Sequence, residues 1–122
     1  EIERAKQWAR DARSYVEERQ MRHFYPLIAF TEGRVLAAAG EAQRAVEAFA
    51  QAAAQADELG MRPIGWQSRC HAARTLTEMG QVEAAAAQKA AAQAIVDAIA
   101  ADFTDSELAA AFRAHAAAEM GR

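Results

Sequence analysis

An all-α fold, an α-solenoid of about six helices packed in antiparallel pairs, is what this sequence predicts, and three observations carry the prediction. First, 35 of the 122 residues are alanine and only two are proline, so the hydrophobic fraction of 52% brings helix propensity and leaves no strand candidate. Second, sliding the sequence against itself by forty residues aligns Met21 and Arg22 with Met61 and Arg62, Arg34 with Arg74, Leu36 with Leu76, and Gly40 with Gly80. Ala5, Ala45 and Ala85 share one column, and Ala12, Ala52 and Ala92 another. Repetition at such a period marks a stacked helical array. Third, Gly40, Gly60 and Gly80 stand where the apolar periodicity breaks, as residues that end helices do.

The elements follow in order. Ala5, Trp8, Ala9, Ala12, Tyr15 and Val16 recur at three- and four-residue steps, so residues 1–20 form a helix with that face buried. The stretch reads as the second helix of a truncated unit. It opens at Glu1, without methionine and inside a helical pattern, as a piece excised from a longer chain does. The repeat 21–60 holds a helix from about Arg22 to Ala39, with Pro26 tolerated in the first turn, and another from about Glu41 to Leu59. The repeat 61–102 holds a helix from near Pro63 to Gly80 and a long one from near Gln81, whose core stripe is Ala92, Ile95, Val96 and Ile99. Thr104 and Glu107 have the spacing of a capping box, so 103–122 is a final helix with Leu108, Phe112 and His115 on one face, covering the open end of the stack. The whole of 1–122 is one domain.

Within the unit that starts near Pro26, Gly33, Leu36, Gly40, Ala45, Phe49 and Ala52 fall at set spacings. This pattern resembles the tetratricopeptide repeat. The next unit gives Ala73, Leu76, Gly80, Ala85 and Ala92 but puts Lys89 where that family has an aromatic, so it looks degenerate or terminal. A repeat longer than the family's usual one, with its excess near residues 58–65, is similar to the helical-repeat segments of multidomain bacterial signalling and transcription-regulatory proteins. The resemblance implies helix-turn-helix units wound into a right-handed superhelix. Facing ridges must also be small for two helices to approach closely, and Gly33, Ala45 and Ala52 meet that need, leaving Phe49 to fill the gap to the next unit.

Several functions are excluded by what is absent. A net charge of -3, with no segment that concentrates lysine and arginine, argues against a nucleic-acid partner. No run is long and apolar enough to span a membrane, and a single cysteine, Cys70, excludes an internal disulfide; the expected setting is cytoplasmic. No two of His23, His71 and His115 stand at helical metal-site spacing, so no metal or cofactor is expected. Neither a phosphate loop nor a nucleophile elbow occurs, and the chain does not read as an enzyme. Cys70, Trp8 and Trp66 read as packing residues, and Glu3 with Lys6 as a surface ion pair.

What is left is a surface. In the resembled family the first helix of each unit lines a concave groove. Carried over, the wall residues are Leu27, Phe30, Arg34 and Ala38, then Gln67, Cys70, Arg74 and Glu78. Arg34 and Arg74 occupy equivalent places, and paired guanidinium forks suit a carboxylate or an acidic peptide. Two solvated arginines are the competing reading. The expectation is a protein-interaction or scaffold module of a larger signalling or regulatory protein, its partner a protein or peptide segment, with a small-effector sensor that biases an attached output domain as the alternative. Apolar surface around Trp8 and Tyr15 also suggests self-association through the N-terminal end.

Overall fold

The computed structural model describes residues 1–121. Six helices follow one another: α1 (Ile2–Glu18), α2 (Tyr25–Ala38), α3 (Ala42–Leu59), α4 (Arg62–Glu78), α5 (Val82–Ala101) and α6 (Ser106–Met120), with a single 3-10 turn at Arg22–Phe24 leading into α2. The expected start of the second helix near Arg22 is therefore this tighter turn, and Pro26 sits in the first turn of the α-helix proper. Each helix packs on the next in the chain, giving a solenoid-like stack. In addition α2 touches α4 and α4 touches α6, whereas α1, α3 and α5 make no comparable contacts with one another among the described residues. Contact thus runs along one layer, α2, α4 and α6, called the inner layer below.

The repeat has its origin in how helices end. Gln20, Gly40, Gly60 and Gly80 all adopt left-handed backbone, with φ of 53°, 79°, 70° and 77°. After each, the next amide reaches back to a carbonyl five residues earlier: Met21 to Val16, Glu41 to Leu36, Met61 to Ala56 and Gln81 to Leu76. Those bonds satisfy carbonyls that the helix end would leave open. One helix and its turn take twenty residues, so two give the forty-residue period. Gln20 fills a glycine's position in this series, which the glycine pattern alone did not reveal.

Two clusters form the core. In the first, Ala29 and Phe30 of α2 meet Ala45, Phe49 and Ala52 of α3 and Ala72 of α4. Phe49 is only 1% exposed, and burying such a ring contributes about 2–3 kcal/mol. Its seat is Gly33, where a Cβ would lie 2.5 Å from the ring. The small residue is thus required by contact inside the pair, and the same ring reaches His71 on α4, bridging to the next pair. In the second cluster Trp66 and Cys70 of α4 pack with Ala92 and Val96 of α5 and Ala116 of α6. Trp66 is a packing residue, 2% exposed.

Four expectations are corrected. On α1 only Ala9 and Val16 are buried, while Trp8 and Tyr15 are 58% and 53% exposed. An end helix has a neighbour on one side, so its apolar stripe is wider than the contact that covers it; Arg19 lies over the Tyr15 ring at 3.7 Å. The cap of α6 is Asp105, not Thr104: its carboxylate accepts from the amides of Glu107 at 2.8 Å and Leu108 at 3.2 Å. A carboxylate at the positive helix end is the stronger acceptor of the two. Leu108 and His115 are exposed, because α6 turns Ala109, Phe112, Ala116 and Met120 toward the stack. Lys6 pairs with Glu41 rather than Glu3, tying α1 to the start of α3. Further ion pairs join neighbouring helices: Arg13 holds both oxygens of Glu32, and Arg69 pairs with Asp57 at 2.7 Å.

Candidate functional site

The inner layer of α2, α4 and α6 carries the residues expected on a groove wall, and they divide by burial. Leu27, Arg34, Ala38 and Glu78 are exposed, and Gln67 and Arg74 are half-buried. Phe30 and Cys70 are not free wall residues. They are 9% and 6% exposed and belong one to each core cluster. Both are buried by their clusters, Phe30 against residues of α3 and α4 and Cys70 against residues of α5 and α6.

His71 is the residue that the sequence reading treated only as a metal candidate and passed over. It stands edge-on to Phe30 at 5.1 Å and tilted on Phe49 at 5.5 Å, at the junction of α2, α3 and α4. Burial, followed by the positive fields of Arg74 and Arg34, pushes its pKa down to about 4, with Glu119 opposing weakly. The ring is neutral at neutral pH. The fields of both arginines, at equivalent places of the repeat, thus reach this one ring. No single-residue motif could have signalled this, since it needs the stacking of α2 on α4.

The two guanidiniums differ in their surroundings. Arg34 lies 5.9 Å from the centre of the Phe30 ring. Arg74 donates from Nη2 to the backbone carbonyl of Glu119 at 3.0 Å, which ties α4 to the end of α6. Among the described residues neither is within ion-pair distance of a carboxylate, whereas Arg13, Arg44, Arg62, Arg69 and Arg113 all are.

Beside Arg74, a cleft of about 420 Å³ opens between α4 and α5, with Met120 and Gly121 closing its third side. Cys70 lines it, and burial pushes that thiol up to about 11, so it is a protonated small hydrophobe and not a nucleophile. A second, more polar groove of about 370 Å³ lies between α1 and the pair α2 and α3, flanked by Lys6, Arg10, Glu32 and Arg44. Three of those four charges are taken up in ion pairs with other residues, Lys6 and Arg44 with Glu41 and Glu32 with Arg13. Among the described residues no group of three His, Cys, Asp or Glu side chains is placed to hold a metal ion. No described helix is long and apolar enough to cross a membrane.

Compared with protein-family models, with characterised protein sequences and with solved structures, the chain matches none.

Proposed function

We propose that this chain is a protein-interaction module, a tetratricopeptide-like helical repeat of a larger signalling or regulatory protein, which binds an acidic partner segment along its inner layer. One observation carries the reading. Arg34 and Arg74, at equivalent places forty residues apart in sequence, both act on His71, and among the described residues neither has a carboxylate at ion-pair distance, in a chain whose net charge is -3. A pair of planar cations without an ion-pair partner among the described residues suits a run of carboxylates. Exposed Leu27 and half-buried Gln67 supply apolar and hydrogen-bonding contact beside them.

The test is fluorescence anisotropy with labelled peptides that interleave glutamate and leucine, against a matched glutamine series. Binding is expected to favour the acidic series, to weaken with salt, and to fall roughly tenfold or more in an Arg34→Glu variant of unchanged helicity. Equal binding of the acidic and neutral series, or an Arg34→Glu variant that binds as the wild type does, would remove the reading.

A further inference from the structure

The two helical pairs carry different residues at one pair of equivalent positions, and the volume there is filled in one and open in the other. In the first pair Gly33 receives the ring of Phe49. Forty residues on, the second pair has Ala73 and Lys89. Lys89 is exposed, and the space beside Ala73 is the cleft of about 420 Å³ between α4 and α5. A volume of this size is that of a small-molecule site.

Its lining is divided chemically. Cys70, Ala73 and Ala85 make a floor of small apolar groups, and Met120 forms a flexible side. Arg74 and Lys89 line the same cleft. The Nε of Arg74 is buried and has no hydrogen-bond partner among the described residues, although the far end of the guanidinium is satisfied by the carbonyl of Glu119. A buried N–H without an acceptor is unfavourable until a ligand or water accepts from it. Lys89 has no ion pair among the described residues and is close enough to act on the Cys70 thiol. On the negative side stand Glu78, which lines the cleft, and Glu119, whose field also reaches Cys70.

We propose that this cleft binds a small monocarboxylate with an aromatic or branched apolar body. The body lies in the cleft over the methyl of Ala73, beside the volume that the Phe49 ring takes in the first pair, and the carboxylate accepts from Arg74 and Lys89. It seats less deeply than Phe49 does, because a Cβ stands at Ala73 where Gly33 leaves bare backbone. The two cations select an anion, while Glu78 on the same cleft disfavours phosphate and other multiply charged groups.

Titration of the whole chain with phenylpropionate, followed by methyl NMR, tests this. Saturable shifts are expected at the methyls of Ala73, Ala85 and Met120, and none at Ala29 or Ala52 in the first core. Phenylpropanol and inorganic phosphate should bind at least roughly tenfold more weakly. The double variant Ala73→Gly, Lys89→Phe rebuilds the Gly33 and Phe49 arrangement, should melt no lower than the wild type, and should lose the shifts. Arg74→Gln, read independently, should erase the preference for the acid over the alcohol. Absence of saturable shifts at millimolar acid, shifts that persist in the folded double variant, or an unchanged acid preference in Arg74→Gln would each overturn the proposal. Arg74 is shared with the acidic-peptide reading, whereas Arg34 does not line the cleft; Arg34→Glu should therefore weaken the peptides and leave the phenylpropionate shifts unchanged, which keeps the two readings distinguishable.

Discussion

The first helical pair has a buried ring at its centre, and the second has its buried ring off centre. In the first, Phe49 sits at the centre of a cluster that includes Phe30, His71 and the bare backbone of Gly33. In the second, Trp66 is displaced toward the start of α4, where it meets Phe112 of α6 edge-on at 6.1 Å, and the position equivalent to Phe49 points a lysine at solvent. The same backbone repeat thus supports a centred core and an off-centre one. The consequence is that the second pair depends on α6 to finish its core, through Phe112, Ala116 and Met120, and keeps an open cleft where the first is closed.

The comparison breaks most sharply at its centre. Phe49→Ala should cost about 3–5 kcal/mol in chemical denaturation, whereas Lys89→Ala should stay within about 0.5 kcal/mol of the wild type. Comparable losses at the two positions would mean that the pairs are built alike. Gly33→Leu comes next, at roughly 1–3 kcal/mol from overpacking against the Phe49 ring. A double cycle with Phe49→Leu should show the two costs to be non-additive, since the added side chain and the ring compete for one volume.

His71 sharpens the comparison through pH. Its folded-state pKa lies near 4 against an ordinary value of 6.5, so below pH 6.5 the unfolded chain takes up a proton that the folded chain refuses. Stability is fully present above the ordinary pKa and is lost as pH falls toward the folded one. Between pH 7 and pH 5 the expected loss from this group is about 1 kcal/mol, allowing for partial solvent screening. His71→Gln should show a correspondingly smaller drop over the same interval. Glu41, held below the usual carboxylate range by Lys6 and Arg44, titrates in both proteins and cancels in the difference.

At the ends of the stack the effects are smaller. Asp105→Ala should cost about 1 kcal/mol as a lost helix cap, and Thr104→Ala next to nothing, by thermal melts of the two variants. Gln20→Gly should raise stability by up to about 1 kcal/mol, because glycine enters the left-handed conformation without the strain that a side chain brings. A destabilised Gln20→Gly would show that this turn owes its shape to something other than backbone preference.

Much of the fold was legible because it is local. The alanine content, the glycines at twenty-residue steps and the small column at Gly33, Ala45 and Ala52 all act within one helix or between chain neighbours. Trp8 and Tyr15 were misread because periodicity locates an apolar face and says nothing of whether a neighbour exists to cover it. Thr104 was misread because two acceptors, Thr104 and Asp105, stand side by side, and the choice between them depends on where the preceding turn releases the chain. Of the candidate wall, the equivalence of Arg34 and Arg74 was visible in the repeat, while the inward turn of Phe30 and Cys70 was not.

By itself, then, the sequence determined helix content, the twenty-residue spacing of helix ends and the closeness of α2 to α3, since propensity, left-handed turns and side-chain size are properties of residues and their near neighbours. Only the tertiary structure decided that the fields of two arginines forty residues apart reach His71, that Arg74 is tied to the end of α6, and that a missing ring at position 89 leaves an open cleft. Those features depend on how the helices stack, and stacking is set by contacts that no single segment contains.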